Sequence, residues 1–125
     1  MILADSTIWI DFFRGGDPEL RKQLDNEQIS MHPFIVAELA LGSLRERRTT
    51  LAKLDRLPQV QVSHLSEVRN MIEVHSLSSK GIGLVDAHLV ASCLMTPGTF
   101  LWTRDIRLAA VAKALGIQAN LPRPQ

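Results

Sequence analysis

Short apolar or alternating stretches take turns with helix-length segments along the chain. The short stretches predict four strands and a last edge strand, at residues 2–5, 28–31, 60–62, 99–103 and 117–119. The longer segments carry apolar side chains at helical spacing and predict helices, at residues 7–14, 17–27, 33–44, 45–57, 66–79, 84–94 and 106–115. Strands that alternate with helices favour parallel pairing. The pattern therefore predicts an α/β fold with a central parallel sheet of four to five strands, covered by helices on both faces.

Local start and stop signals agree with these boundaries. Asp17 followed by Pro18 is typical of a helix start, because Asp caps the first turn and Pro suits its first position. Pro58 ends one helix, and Gly116 closes the last. No repeat, linker or low-complexity segment divides the chain. We therefore expect one domain over residues 1–125, with a mobile tail at 120–125.

Composition narrows the class of protein without naming a function. Hydrophobic residues make up 46% and charged residues 22% of the 125 residues, which is ordinary for a soluble globular domain. The net charge of +1 does not announce nucleic-acid binding, which would need a local basic patch. Cys93 is the single cysteine and excludes an internal disulfide. We expect no signal peptide and no membrane helix, and hence a cytoplasmic protein.

Acidic side chains stand where the chemistry of an open α/β sheet is usually found. Asp5 ends the first strand and Asp105 follows the strand at 99–103, while Glu38 and Asp86 interrupt apolar helical stretches. A buried carboxylate is costly unless it is paired or binds a cation. Carboxylate oxygens suit Mg²⁺ or Mn²⁺, and such an ion can activate water for attack on a phosphate. We therefore expect these acids to share one metal-binding pocket.

Each acid also has an ordinary structural explanation. Asp5, Asp86 and Asp105 stand at helix starts, where a carboxylate caps the first turn. Glu38 could face solvent at a helix edge. It is the joint occurrence of the acids at these places that favours a site.

Four short motifs in this order resemble PIN-domain ribonucleases, and more narrowly the VapC-type toxins of type II toxin–antitoxin pairs. The resemblance spans about residues 2–119, and its motifs are LADSTIWI (3–10), PFIVAELALG (33–42), GLVDAHLVAS (83–92) and LWTRDIRL (101–108), followed by VAKALG (111–116). It implies a PIN-like fold and a metal-dependent endoribonuclease that acts as a toxin.

The resemblance also implies roles for individual residues. It assigns the catalytic and metal-binding work to the four acids, Asp5, Glu38, Asp86 and Asp105. Asp5 and Asp86 are the first candidates for direct ligands, with Asp105 a ligand beside them or through water. Glu38 would hold a second ion or orient the attacking water. The hydroxyls of Ser6 or Thr7, and of Thr103, would orient the carboxylates.

The implied substrate is RNA, in the form of a single-stranded loop. Basic side chains should flank an acidic cleft, and the candidates are Arg14, Arg45, Arg47, Arg48, Arg104 and Arg107. Arg104 and Arg107 are favoured as phosphate contacts because they neighbour Asp105; a solvated helix face is the alternative for each. The implied partners are a small antitoxin that blocks the acidic site and a second copy in a homodimer, joined in larger toxin–antitoxin assemblies. DNA would be contacted only through the antitoxin.

Other readings of the chain are weaker. The histidines show no zinc-binding spacing with one another or with Cys93, so we expect surface or packing roles for them. A non-catalytic RNA-binding or scaffold PIN domain would need the acids replaced or dispersed. An aspartate-nucleophile phosphatase usually has a second Asp two residues after the first, where this chain has Thr7.

Overall fold

The structure, a computed structural model, describes residues 1–122 of the chain. Over these residues three strands and seven helices follow in the order β1 (Ile2–Ala4), α1 (Ser6–Gly15), α2 (Pro18–Asp25), β2 (Ile29–Ser30), α3 (Pro33–Ala40), α4 (Arg47–Asp55), α5 (Leu65–Val74), α6 (Leu84–Met95), β3 (Phe100–Trp102) and α7 (Ile106–Ala114). All strand pairs are parallel, in the spatial order β2-β1-β3. The predicted α/β class and parallel sheet are confirmed.

The centre of the sheet is buried on both faces. Leu3 and Ala4 are neighbours in β1, and both are fully buried. Because successive side chains of a strand point to opposite faces, burial of both means that chain packs on each side of the sheet. This agrees with the apolar run from which the strand was predicted.

The two strands predicted at the edges of the sheet are shorter than expected. The strand expected at 60–62 is wrong in extent, because it is reduced to an isolated bridge between Gln59 and Met31. Beyond Val60 the chain turns towards the end of α6, where the Gln61 amide donates to the Thr96 hydroxyl at 3.3 Å. The strand expected at 117–119 is likewise one bridge, between Gln118 and Leu101. Three strands and two flanking bridges thus stand where four to five strands were expected.

Helices α2, α3 and α5 end earlier than predicted, each for a local reason. The ends of α2 and α5 come just before Glu27 and Ser76, whose φ angles of 56° and 54° lie in the left-handed region. A left-handed residue cannot continue a right-handed helix. The end of α3 comes at Ala40, where the Arg47 guanidinium donates to the carbonyls of Ala40 and Gly42. These bonds satisfy carbonyls that the helix end leaves open.

Two remaining expectations concern the membrane and the tail. Among residues 1–122, no helix combines the length and apolar character that a bilayer crossing requires. The mobile tail expected at 120–125 falls partly on residues 123–125, which lie outside the described residues. Within the described part, Leu121 packs against the hydrophobic core.

Candidate active site

Asp5 lies at the carboxyl end of the central strand, and three hydrogen bonds hold its carboxylate. Its backbone amide donates to the Trp102 carbonyl at 3.0 Å, which fixes it against β3. Its Oδ1 accepts from both the amide and the hydroxyl of Thr7, and its Oδ2 accepts from the Thr103 hydroxyl. Asp5 also caps α1. The carboxylate is therefore fixed in orientation by Thr7 in the first turn of α1 and by Thr103 directly after β3.

Burial and hydrogen bonding act on Asp5 in opposite directions. Only 4% of the residue is exposed, and this burial raises the pKa of the carboxyl above its ordinary 3.8. The hydrogen bonds from Thr103 and Thr7 favour the charged form and partly lower the pKa again. An acid with a raised pKa at the carboxyl end of a central strand is a candidate functional group.

Glu38 stands on α3 and is influenced by two of the other acids. Partial desolvation raises the pKa of Glu38 above 4.5, and the negative charges of Asp86 and Asp5 raise it further. The Ser6 hydroxyl acts in the opposite direction and lowers the pKa of Glu38. Glu38 thus belongs to the same electrostatic neighbourhood as Asp5, although 33 positions separate them along the chain.

Asp86 and Asp105 complete this neighbourhood from α6 and α7. The Asp86 carboxylate accepts from the Gly83 amide at 3.2 Å, across the first turn of α6. Desolvation raises the pKa of Asp86, the bond from Gly83 lowers it, and the charge of Asp105 raises it. Asp105 caps α7, with Oδ1 accepting from the amides of Arg107 and Leu108 at 2.9 and 3.1 Å. Electrostatic repulsion therefore links all four acids.

The four carboxylates fit a hard divalent cation by their chemistry, not by a ready-made cage. Carboxylate oxygens are hard donors that Mg²⁺ and Mn²⁺ prefer as ligands, and a bound cation would offset the repulsion between the carboxylates. Within residues 1–122, however, no three His, Cys, Asp or Glu side chains are arranged closely enough to hold a metal ion. The structure thus gathers the acids into one neighbourhood without bringing them to ligating distances.

Comparison with known proteins gives the family. The PIN domain profile matches residues 2–114. The chain is 38% identical over 117 residues to the protein named "Ribonuclease VapC32" in two strains of Mycobacterium tuberculosis, CDC 1551 / Oshkosh and ATCC 25618 / H37Rv, and the match covers 94% of each chain. The chain belongs to the VapC-type PIN-domain ribonucleases. The family resemblance inferred from the four motifs is confirmed.

The capping explanation and the site explanation are compatible in this PIN domain. Asp5 and Asp105 cap α1 and α7, and Asp86 bonds back across the start of α6, as the alternative reading expected. Helices α1 and α7 begin directly after β1 and β3, so their caps Asp5 and Asp105 lie at the carboxyl ends of these strands. Asp105 uses only Oδ1 for both of its cap bonds.

Arg104, a favoured phosphate contact, is held by two carboxylates of the PIN domain itself. Its guanidinium forms ion pairs with Asp11 of α1 and with Asp17, the cap of α2. Sequence reasoning identified Asp17 as a helix cap and missed both ion pairs. No local pattern indicates a contact between residues 87 and 93 positions apart.

The other candidate cations take different positions. The Arg107 side chain packs against Gly81, so close that a Cβ there would lie 2.5 Å from Arg107 Cδ. Arg14 lines a surface groove together with Glu38. Arg47 is engaged at the end of α3. Arg14 therefore shares a surface groove with one of the four acids, and Arg107 stands next to the turn that precedes α6.

Three of the residues without zinc-binding spacing, His32, His88 and Cys93, are buried packing residues. His32 and His88 are buried, with ring centroids 6.4 Å apart. Burial, and then the charge of His88, lowers the pKa of His32 to about 4, so His32 is neutral at pH 7. Cys93 is buried in the core, and this burial raises the pKa of its thiol to about 12. Cys93 therefore acts as a small residue of the core.

Proposed function

We propose that the protein is an endoribonuclease that requires Mg²⁺ or Mn²⁺ and acts as the toxin of a toxin–antitoxin pair. The observation that carries this proposal is the electrostatic linkage of four acids around a buried, hydrogen-bonded Asp5. A relative with 38% identity over nearly the whole chain is named a ribonuclease, which supports RNA as the substrate.

Asp5, Asp86 and Asp105 are the residues that would hold the ion. Asp5 and Asp86 would be direct ligands, and Asp105 would bind beside them or through a water molecule. When bound, the divalent ion supplies a water molecule of lowered pKa and offsets the negative charge of the phosphate. The Thr7 and Thr103 hydroxyls keep Asp5 in one orientation, so that no rearrangement of this carboxylate accompanies the reaction.

Glu38 would orient the water that attacks the phosphorus, or hold a second ion. The raised pKa of Glu38 reflects the charges of Asp86 and Asp5, so a cation among these acids would lower it again. Ser6 would orient the Glu38 carboxylate through its hydroxyl. The reaction needs no covalent intermediate on the protein.

The RNA would be drawn to the acidic edge by flanking arginines. Arg14 shares a groove with Glu38, and Arg107 lies in the first turn of the helix that Asp105 caps. Each supplies a positive charge that offsets the repulsion between carboxylates and phosphate. A single-stranded loop fits this arrangement best, because its backbone can approach a cleft.

The partner that controls the activity would be a small antitoxin. The groove beside Glu38 is lined by the apolar side chains of Ile10, Phe13 and Leu39 as well as by Arg14, which suits a peptide that combines apolar and charged residues. A homodimer, joined into a larger toxin–antitoxin assembly in the cytoplasm, would contact DNA only through the antitoxin. We expect a short gene for such a DNA-binding protein directly upstream.

The direct test is cleavage of total RNA by the purified protein and by its Asp5→Asn variant. We expect cleavage with Mg²⁺ or Mn²⁺, none with EDTA, and a loss of at least about 100-fold in the variant, the upper end of losses when a partner of a metal ligand is removed. Asn keeps the cap of α1, so folding should be preserved. Cleavage that persists in EDTA or in the variant would contradict the mechanism.

A further inference from the structure

The Arg104 side chain joins three elements of the fold. It lies on the loop between β3 and α7 and contacts Asp11 of α1 and Asp17 at the start of α2. Asp17 is 2% exposed, and its other oxygen accepts from the amides of Glu19 and Leu20 at 3.0 and 3.1 Å. A buried carboxylate needs such partners, so Asp17 is a fixed anchor for the guanidinium.

The backbone around Arg104 leads directly to Asp5. The Arg104 amide donates to the Thr7 hydroxyl at 3.1 Å, and that hydroxyl donates to Asp5 Oδ1. On the other side, the Asp105 amide donates to the Thr103 hydroxyl at 3.0 Å, and that hydroxyl donates to Asp5 Oδ2. Both hydroxyls that orient Asp5 are thus themselves oriented by amides of the loop at 103–105.

We propose that Arg104 is a positioning residue, which anchors the loop at 103–105 to Asp17 and Asp11 so that Thr7 and Thr103 hold Asp5. This inference rests on the proposed nuclease function, in which Asp5 is a metal ligand. It replaces a contact between Arg104 and the RNA backbone.

The charges around Arg104 favour anchoring over phosphate binding. One guanidinium faces two carboxylates, so the group as a whole carries a negative charge. The Asp11 side chain is half exposed, with a relative exposure of 50%, and would repel an approaching phosphate. The guanidinium itself is engaged on both terminal nitrogens.

The test compares variants that break the anchor from either side. Arg104→Met removes the cation, and Asp17→Asn removes the buried charge while keeping a side chain that caps α2. Arg104→Lys keeps the charge but lacks the planar fork, so it should fall between wild type and Arg104→Met. Arg69→Met, at an exposed arginine of α5, is the matched control.

Asp17→Asn separates the two roles of Arg104. Loss of the anchor should lower kcat about 10- to 100-fold in both Asp17→Asn and Arg104→Met, with KM for RNA nearly unchanged, as for other partners that orient a metal ligand. The double variant should be no worse than either single one, because both break one unit. If Arg104 instead bound phosphate, Asp17→Asn would free its charge and lower KM, and that result would overturn the proposal.

Amide hydrogen exchange tests the anchor without RNA or metal. We expect the amides of Arg104 and Asp105 to exchange faster in folded Asp17→Asn than in wild type, with amides of α5 unchanged. Unchanged exchange at both positions would overturn the proposal. If the wild type cleaved no RNA but exchange rose as expected, the nuclease function would fail while the anchoring of the loop would stand.

Discussion

At the scale of single residues, Asp5 combines the observed cap of α1 with the proposed role of a metal ligand. Capping requires a side-chain oxygen beside the first amides of α1. Binding of a metal ion requires a carboxylate oxygen that faces the other acids at the carboxyl end of β1. The cap bond and the Thr7 hydroxyl use Oδ1, while Oδ2 faces the Thr103 hydroxyl. Mutations to Asn can therefore remove charge while keeping the helix start.

The acids were predictable from the sequence because each interrupts or ends an apolar run. Asp5 and Asp105 follow strands, and Asp86 stands in an apolar helical stretch. The role of Arg104 was not predictable, because its partners Asp11 and Asp17 lie far away along the chain and their contact depends on how α1, α2 and β3 pack. Local spacing carries no information about such a contact.

The raised pKa of Glu38 gives a stability effect with a definite sign. The pKa of this carboxyl is higher in the folded state than the ordinary 4.5. The folded protein therefore keeps the proton to a higher pH than the unfolded protein does. In the window just above pH 4.5, the folded protein then binds more protons than the unfolded one, so Glu38 contributes less stability as pH rises.

This sign is checked with the Glu38→Gln variant in metal-free buffer. Urea unfolding from pH 4 to 7 should show the free energy of unfolding of the wild type falling relative to the variant as pH rises. The relative free energy would rise instead if the pKa of Glu38 were lowered in the folded protein. Addition of Mn²⁺ should reduce the difference, because a cation among the acids lowers the pKa of Glu38.

At the scale of elements, turns and edges decide what the hydrophobic pattern leaves open. The segment at 60–62 has the apolar alternation of a strand, yet only Gln59 forms a bridge with Met31. Gln61 and Ser63 instead donate hydrogen bonds to Thr96 and Met95 at the end of α6. The pattern identifies the central strand reliably, because a strand that is buried on both faces has a continuous apolar run. An edge strand is less buried and does not need such a run.

The turn before α6 depends on Gly81. Its φ of 78° lies in the left-handed region, and the Arg107 side chain occupies the space of a Cβ. Gly81→Ala should lower the free energy of unfolding by about 1–2 kcal/mol for the backbone alone, and further for the displaced Arg107.

Gly98→Ala is the matched control for this change. Gly98 has a φ of 80°, and a Cβ there would meet no atom within 4 Å among the described residues. Urea unfolding should show a larger loss for Gly81→Ala than for Gly98→Ala, with the excess disappearing in an Arg107→Ala background. An equal loss in both variants would mean that Arg107 moves aside without cost.

At the scale of the whole molecule, the parallel sheet gathers residues from distant parts of the chain. The acids come from four separate segments: Asp5 follows β1, Glu38 lies on α3, Asp86 lies on α6, and Asp105 caps α7. Their mutual repulsion places them in one neighbourhood. The net charge of +1 does not reveal this local concentration of negative charge. The family match over residues 2–114 agrees with a site assembled by the entire fold.

The central claim is that these acids jointly bind a divalent cation, and Mn²⁺ binding followed by electron paramagnetic resonance tests it most directly. We expect the wild type to bind Mn²⁺ at pH 7, with affinity lowered at least about 10-fold in Asp5→Asn and in Asp86→Asn, since even partners of a metal ligand contribute that much. Asp25→Asn, at an exposed residue that ends α2, is the control and should bind like wild type. Equal affinity in all four proteins, or no binding by the wild type, would contradict the claim.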